Sequence, residues 1–537
     1  MKMCLLTFAA AASLAAGSAM AQGPAPTTIS TTAGDVRRRA LSALYGVNTL
    51  GAVCGAYFAT FYALEFLGTR ATLWLGCAMN LLVGVIAIAR SKRLTETHPQ
   101  DERALAATNP ESPDLRRSQD SALVYATAAV LGFTFFTLEL VWYRMLAPIL
   151  GGTTFTFGLI LCIALLGIGV GGAAYHLVFR WVRPSWSVLA LTCAAEAALA
   201  ALPLALGDRL ALLAGRWYIG SESFSEVVSG WCGVMSIVVL PVALVSGLQF
   251  PLLVALLGQG RAAVSRQLGT AYAWNTLGAI VGSLVGGFGA MPLLTAPGTW
   301  RAVVMMLVVL AAILVVRSWR TAGRSSLVVG ALLLLAVVGL FQEGPTAVWR
   351  HSGIGAGRAL VPPADEVNAT LLWCSEQRRS LIWEAEGIES SIGITAPDGL
   401  AFVVNGKNDG NAIGDAGTQI GVAILGAVLH QAPKNGLVIG LGTGESAGWL
   451  AAMRGMERVD VVELEPAIDE MARRSSELNQ NALHHPKVRR IYNDGREHVL
   501  TTAEKYDLIL SEPSNPYRAG VASLYTAEFY RAIRERL

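Results

Sequence analysis

A run of glycines and three acidic residues near the end of the chain have the types and spacing to hold a nucleotide. Gly440-Leu441-Gly442-Thr443-Gly444 follows the apolar run Leu437-Val438-Ile439, and Glu463 closes the next such run, Val459-Asp460-Val461-Val462. Glycines let the backbone approach a ligand, and an acid some 20 positions on accepts hydrogen bonds from ribose hydroxyls. Asp494 and Gly495 come after a third run, Val488-Arg489-Arg490-Ile491. That carboxylate can accept from an adenine amino group, and the glycine leaves room for the ring. Glu512 comes after a fourth run, Tyr506-Asp507-Leu508-Ile509-Leu510. One such acid is ordinarily a solvated surface residue. Three at strand ends lie where open α/β sheets bind their ligands.

Holding these residues together requires strand, loop, helix and strand in register, which predicts a Rossmann-like α/β domain over 433–537. A helix starts near Glu445 and another runs from about Gly417 to His430. Upstream, Ile392–Thr395 and Leu400–Val404 flank Pro397-Asp398-Gly399 and read as a β-hairpin. Asn405-Gly406-Lys407 follows as a turn. Residues 343–432 are thus a linker and a small hairpin subdomain.

Ahead of Glu343 the composition changes. The whole chain is 53% hydrophobic and 15% charged, with mean hydropathy +0.49, where soluble proteins carry about 25% charged residues. More than half of the charges fall from Glu343 onward, so the deficit lies in the first part. A net charge of +3 gives no argument for nucleic acid. Apolar runs at about 44–66, 70–89, 121–143, 154–179, 186–206, 229–256, 269–291, 301–316 and 325–341 predict an α-helical multi-pass membrane bundle over 37–342. Residues 1–36 are signal-like or unstructured, with Ala19-Met20-Ala21 resembling a cleavage site; an uncleaved first helix is the alternative. Arg37-Arg38-Arg39 and the cluster from Arg90 to Arg117 mark cytoplasmic segments.

An internal repeat runs through this part. Tyr45-Gly46-Val47-Asn48-Thr49-Leu50-Gly51-Ala52 returns as Tyr272-Ala273-Trp274-Asn275-Thr276-Leu277-Gly278-Ala279, and Gly55 matches Gly282. Small residues four apart let helices approach closely, and Asn48 and Asn275 read as structural glue between helices. Glu139 and Glu196 are intramembrane carboxylates, Glu139 expected to pair with Arg144. Seven cysteines without C-x-x-C spacing imply neither a disulfide framework nor a zinc site, and no metal is expected.

The order of Gly440 to Gly444, Val462-Glu463-Leu464-Glu465, Asp494-Gly495, Tyr506-Asp507, Leu524-Tyr525 and Glu528-Phe529-Tyr530 resembles the spermidine synthase family. With the Asn-Thr-Leu-Gly-Ala helices ahead of it, the chain is most similar to bacterial membrane-fused spermidine synthase-like proteins. The resemblance implies an aminopropyltransferase using decarboxylated S-adenosylmethionine, or S-adenosylmethionine, with a small-molecule amine as acceptor. Gly440, Gly442, Gly444, Glu463, Asp494 and Gly495 would bind the donor. Glu512 would stand at the family's catalytic aspartate, and Gln419, Thr443 and Asn515 would line the acceptor site. The departures fall there: Thr443 and Asn515 replace acids, and Gln419 stands where a histidine is frequent. A methyltransferase of another acceptor, or a transporter with an adenosyl-sensing domain, remain the alternatives. The lipid bilayer and a further copy of the chain are the other expected partners. The family's sheet continues beyond the helix at Thr526–Leu537, so the domain is expected to be incomplete. Counting spans from Arg37 places it outside, whereas a donor made in the cytoplasm places it inside. The expectation is an inner-membrane protein with a cytoplasmic domain.

Overall fold

The computed structural model describes residues 48–95, 115–178, 182–257, 264–318, 325–396, 399–518 and 520–537. The signal-like segment, Arg37-Arg38-Arg39 and the first residues of the repeat lie outside these. The apolar part forms helices α1 (Asn48–Phe66), α2 (Gly68–Thr95), α3 (Leu115–Leu150), α4 (Thr154–Val178), α5 (Trp186–Leu206), α6 (Asp208–Ile219), α7 (Phe224–Val238), α8 (Leu240–Leu256), α9 (Val264–Val285), α10 (Met291–Ser318) and α11 (Ser325–Leu340). Among the described residues six helical stretches are long and apolar enough to cross a membrane. They become seven if α7 and α8, bent by 52° at their junction, form one span.

One of the six, Arg266–Ser318, reverses direction. Gly282 lies against Phe133, while Arg317 pairs with Asp120 at 2.7 Å, thirteen residues back along α3. A straight helix from 282 to 317 would travel about 50 Å the other way. The reversal sits at Thr295, whose φ of 67° and ψ of 166° are non-helical. The stretch is therefore two helical arms that run in opposite directions, and α11 is a shorter apolar helix alongside.

Glycines set the closest helix contacts. A Cβ at Gly278 or Gly282 would overlap the backbone of Ala129 or Phe133. Asn275 Nδ2 donates to Ala128 O at 3.0 Å and Thr137 Oγ1 to Gly282 O at 3.1 Å, which seals α9 to α3. The first copy of the repeat differs: nothing lies within 4 Å of a Cβ at Gly51 or Gly55. The expected Glu139–Arg144 pair does not form. Arg144 instead reaches Glu386 (3.0 Å), Gly387 O and Ile388 O. Five positions apart, the two side chains do not share a helix face. Glu196 is fully buried and accepts from Gln249 Nε2 at 2.7 Å.

After the linker and helix α12 (Val367–Ser380), the expected hairpin is the middle of a larger unit. Strands β1 (Leu381–Glu386), β2 (Ser391–Thr395), β3 (Ala401–Val404) and β4 (Lys407–Asn411) form an antiparallel sheet in sequential order. Helix α13 (Ala416–Leu429) leads to the second sheet, in which β5 (Asn435–Ile439), β6 (Arg458–Glu463), β7 (Val488–Tyr492) and β8 (Leu508–Ser511) are all parallel, ordered β7-β6-β5-β8. Parallel strands bury both faces. Leu437, Ile439 and Val462 pack on Val499 and Phe529, while Val438 and Val461 face Leu450 and Met471.

The small sheet docks on the helical bundle through buried ions. Glu386, 1% exposed, binds Arg144 of α3 and Arg350 of the linker; Arg350 also donates to Glu384 at 2.8 Å and Ser391 Oγ at 2.9 Å. Asp208 at the start of α6 accepts from Thr346 Oγ1 (2.6 Å) and Arg378 (2.8 Å). Removing one partner from the buried pairs of Glu386 with Arg144 and Arg350 costs about 3–5 kcal/mol.

Candidate active site

The glycine loop leaves β5 at its carboxyl end and turns through left-handed conformations. Gly440, Gly442 and Gly444 have φ of 96°, 53° and 81°, a region where side chains bring strain. Gly440 N–H donates to Val462 O at 2.8 Å, and nothing lies within 4 Å of a Cβ there, so this backbone faces open space. The far side of the loop is fixed. Buried Asn479 donates to Thr443 O (2.7 Å) and Ala472 O (2.6 Å) and accepts from Ala482 N–H (3.0 Å). Phe402 of the small sheet covers Gly442.

Glu463 ends β6 beside this loop. One carboxylate oxygen accepts from Leu441 N–H and the other from Glu465 N–H, both at 2.8 Å. Burial pushes its carboxyl up, and these amides oppose the shift. Each oxygen keeps a second lone pair for a ribose hydroxyl. Asp494 follows β7 and caps helix α14 (Gly495–Thr501), its Oδ1 accepting from Arg496 N–H (2.8 Å) and Glu497 N–H (3.1 Å). Packing also requires a glycine at 495, since a Cβ there would collide with Ile439 Cγ2.

On the other side of the loop a second group gathers. Thr443 Oγ1 donates to Gln419 Oε1, and Ser446 Oγ donates to Gln419 O at 3.0 Å, joining the loop to α13. Asp415, one turn before Gln419, lies close enough to Glu445 and Glu512 to raise both carboxyls. Burial is the larger cause for each, and Glu445 reaches about 7. Glu445 is fully buried, and both of its oxygens lack a hydrogen-bond partner. An ionised carboxylate left unpaired in such a place is costly, so it holds a proton or awaits a cation. Asp415 and Glu445 were not among the sequence candidates. Glu512, more than a third exposed, stands on the open side.

The segment after Glu512 is clamped from below. Asp409 of β4 accepts from Ser514 Oγ (2.8 Å) and Arg518 (2.8 Å) and pairs with Lys407; Arg518 also donates to Val404 O at 2.8 Å. Asn515 gives its carbonyl to Arg518 N–H at 3.1 Å, and Thr153, between α3 and α4, bridges to Arg518. The apolar bundle thus abuts the segment that carries Glu512 and Asn515. Among the described residues no three His, Cys, Asp or Glu side chains form a metal-ligand set.

An open parallel sheet with a glycine loop and acids at its carboxyl edge defines a Rossmann-type α/β domain. Residues 419–537 match the family model of the spermine/spermidine synthase domain, so the C-terminal region carries a domain of that kind. Relatives include polyamine aminopropyltransferase 2 of Hyperthermus butylicus, 30% identical over 148 residues, which are 27% of this chain and 48% of that protein. The polyamine aminopropyltransferase of Oceanobacillus iheyensis is 34% identical over 20% of this chain and 22% of its own length. That of Nitrosomonas europaea is 33% identical over 21% and 35%. The chain spans less than half the length of these relatives. Among solved structures, a spermidine synthase in complex with the transition state analogue AdoDATO aligns at TM-score 0.28 and 23% identity, over 29% of this chain and 55% of that one. The spermidine synthase from Thermotoga maritima aligns at 0.27 and 24%, over 29% and 54%.

Proposed function

We propose that the chain is a membrane-anchored transferase that binds an S-adenosyl donor, decarboxylated S-adenosylmethionine, and moves its aminopropyl group to a cationic amine acceptor. The observation that carries this reading is the pairing of two unlike groups across one glycine loop. On one side Gly440, Gly442, Glu463 and Asp494 present backbone and hydrogen-bonded acids suited to an adenosyl group. On the other Asp415, Glu445 and Glu512 bring three carboxyls together, two of them with raised affinity for a proton, and no ion pair to a lysine or arginine is formed by any of them among the described residues. An ammonium seated there would relieve the unpaired Glu445, and this offsets the acids absent at Thr443 and Asn515.

The transfer forms a bond from the acceptor nitrogen to the carbon on the sulfonium sulfur and breaks the carbon–sulfur bond, leaving a neutral thioether. The attacking nitrogen needs its lone pair, so its proton has to leave. On this reading Glu512, exposed and with a carboxyl that burial and Asp415 raise, takes that proton.

Anchoring rests on the apolar helices. Phe66, Trp74, Leu293, Val316 and Leu327 are each more than 65% exposed, a surface that water does not tolerate over such an area and lipid does. The full chain in detergent, assayed with both adenosyl donors and an amine panel, tests the reading. Thioether release that depends on decarboxylated donor and a diamine supports it. Methylation of the acceptor by S-adenosylmethionine would replace it with methyl transfer, and adenosyl binding without turnover would replace it with a sensor.

A further inference from the structure

The path of the chain sorts every helix end onto one of two faces. The C-terminal region sits at the ends marked by Pro148, Thr153, Asp208 and Glu343: Gly355 N–H donates to Pro148 O at 2.9 Å, Thr153 bridges to Arg518, and Asp208 binds Thr346 and Arg378. Arg301 donates to Glu343 O at 3.1 Å, which brings the start of the returning arm of α10 to this face too. The opposite face holds the start of α3 and the end of α10, joined by Asp120 and Arg317. It also holds the end of α4 and the start of α5, each a full helix away from Thr153 and Asp208. Helix α9 runs parallel to α3, with Gly278 against Ala129 and Gly287 towards Leu140, so its start lies on that opposite face as well. Thr49 lies beside Gly169 and Thr60 beside Gly158, so α1 runs antiparallel to α4 and reaches the domain side at the Gly68 turn.

The cations follow the same division. In sequence Arg116 and Arg117 fall at the start of α3. Arg183, Arg266 and Arg317 stand at the other ends on that face. In sequence Arg180, Arg261, Arg320 and Arg324 fall in the short connections there, outside the described residues. The domain side has Arg70, Arg144, Arg209, Arg216 and Arg301, and three of these have a local reason. Arg144 binds Glu386, Arg216 donates to Pro362 O at 3.0 Å, and Arg301 holds Glu343 O.

We propose that the face opposite the nucleotide domain is the cytoplasmic one, its arginines meeting anionic lipid headgroups, and that the domain with its Asp415, Glu445 and Glu512 cluster lies on the non-cytoplasmic side of the membrane. The proposal rests on the membrane reading given above. Short loops rich in arginine and lysine stay cytoplasmic, while acids weigh little and long domains cross regardless of their charge. Anionic lipids of the cytoplasmic leaflet attract juxtamembrane cations further. This placement replaces the cytoplasmic one expected from the donor's origin. A donor made in the cytoplasm would then reach the site only after export.

Two single substitutions in the full chain test it: Glu477→Cys on the exposed surface of the domain and Val182→Cys between α4 and α5. Bacterial cells expressing each are treated with a membrane-impermeant maleimide, intact and after permeabilisation, beside the parent chain. The expected result is labelling at 477 in intact cells and at 182 only after permeabilisation. The reverse pattern overturns the orientation, and equal labelling at both in intact cells overturns a single orientation. A chain that alkaline carbonate strips from the membrane overturns the membrane reading itself, separately from nucleotide binding. If either substitution prevents accumulation, alkaline phosphatase fused after Leu537 gives the same answer. Activity supports the proposal, and a stable inactive fusion overturns it.

Discussion

The two sides of the glycine loop are built in opposite ways. On the donor side every acid is already engaged: Glu463 holds two backbone amides and Asp494 caps a helix. On the acceptor side Glu445 has two buried oxygens without a partner, and Asp415 raises it and Glu512 together. The first arrangement is preorganised and neutralised by dipoles, so it exists whether or not a ligand is present. The second is electrostatically unfinished. A site of this kind gains most from a ligand that brings positive charge, and on the proposed reading Glu512 removes the proton.

The largest expected effect tests whether the unfinished side does chemistry. Glu512→Gln keeps the size and hydrogen-bonding reach of the side chain but cannot take a proton at neutral pH. Turnover should fall by about 10²–10⁴-fold, the usual contribution of a general base. Nucleotide affinity measured by calorimetry should stay nearly constant. A variant that keeps most of its turnover breaks the assignment and leaves Glu512 as one charge among three.

Next comes Glu445, through pH. Its carboxyl is held at about 7 in the folded chain against 4.5 ordinarily. Below about pH 4.5 both states are protonated and the folded state has its full stability. Between there and about 7 the unfolded chain releases a proton that the folded one keeps, so stability declines as pH rises. The total is on the order of 3 kcal/mol. Thermal midpoints of the full chain in detergent should therefore drop from pH 5 to pH 8, and Glu445→Gln should flatten that slope. A diamine should raise the midpoint more at pH 8 than at pH 5, since it pairs with the ionised form. A parent protein with no slope would remove Glu445 from the argument.

On the donor side Glu463→Ala should weaken binding of an S-adenosyl compound or methylthioadenosine by about 1–3 kcal/mol, the usual loss for hydrogen bonds to a charged group. Part of that loss comes through Leu441, whose N–H would no longer be held. Undiminished affinity would show that the ribose is held elsewhere.

The same contrast explains what was legible in the sequence. The donor side is encoded locally: Leu437–Ile439, the glycines and Glu463 lie within one strand-loop-helix-strand stretch, and their spacing alone places them together. The acceptor side needed the fold. Glu445 reads as an acid in the first turn of a helix, where the helix dipole already accounts for it. Asp415 precedes a different helix. They meet only because Gln419 binds Thr443 and brings α13 onto the loop. Strands β1 and β4 were missed: the hairpin between them is marked by Pro397-Asp398-Gly399 and by continuous apolar runs, whereas β1 carries two glutamates and β4, Lys407-Asn408-Asp409-Gly410-Asn411, is polar throughout. Arg144 was paired with the wrong acid because its partner Glu386 is 242 residues away.

The smallest effect asks whether the donor side is ligand-directed at Asp494 or only structural. Its Oδ1 accepts two backbone N–H groups of a short helix, and losing such a cap costs about 1 kcal/mol. Asp494→Ala should lower stability by roughly that amount and also reduce nucleotide affinity if the carboxylate meets the adenine amino group. Asp494→Asn caps as well as aspartate does, so it should restore stability, and its amide oxygen can still accept from an amino group. The pair of substitutions therefore separates the two roles. Affinity lost in alanine and recovered in asparagine assigns Asp494 to both. Affinity unchanged in alanine while stability falls leaves it a cap alone, and the adenine contact must then come from another part of the same sheet edge.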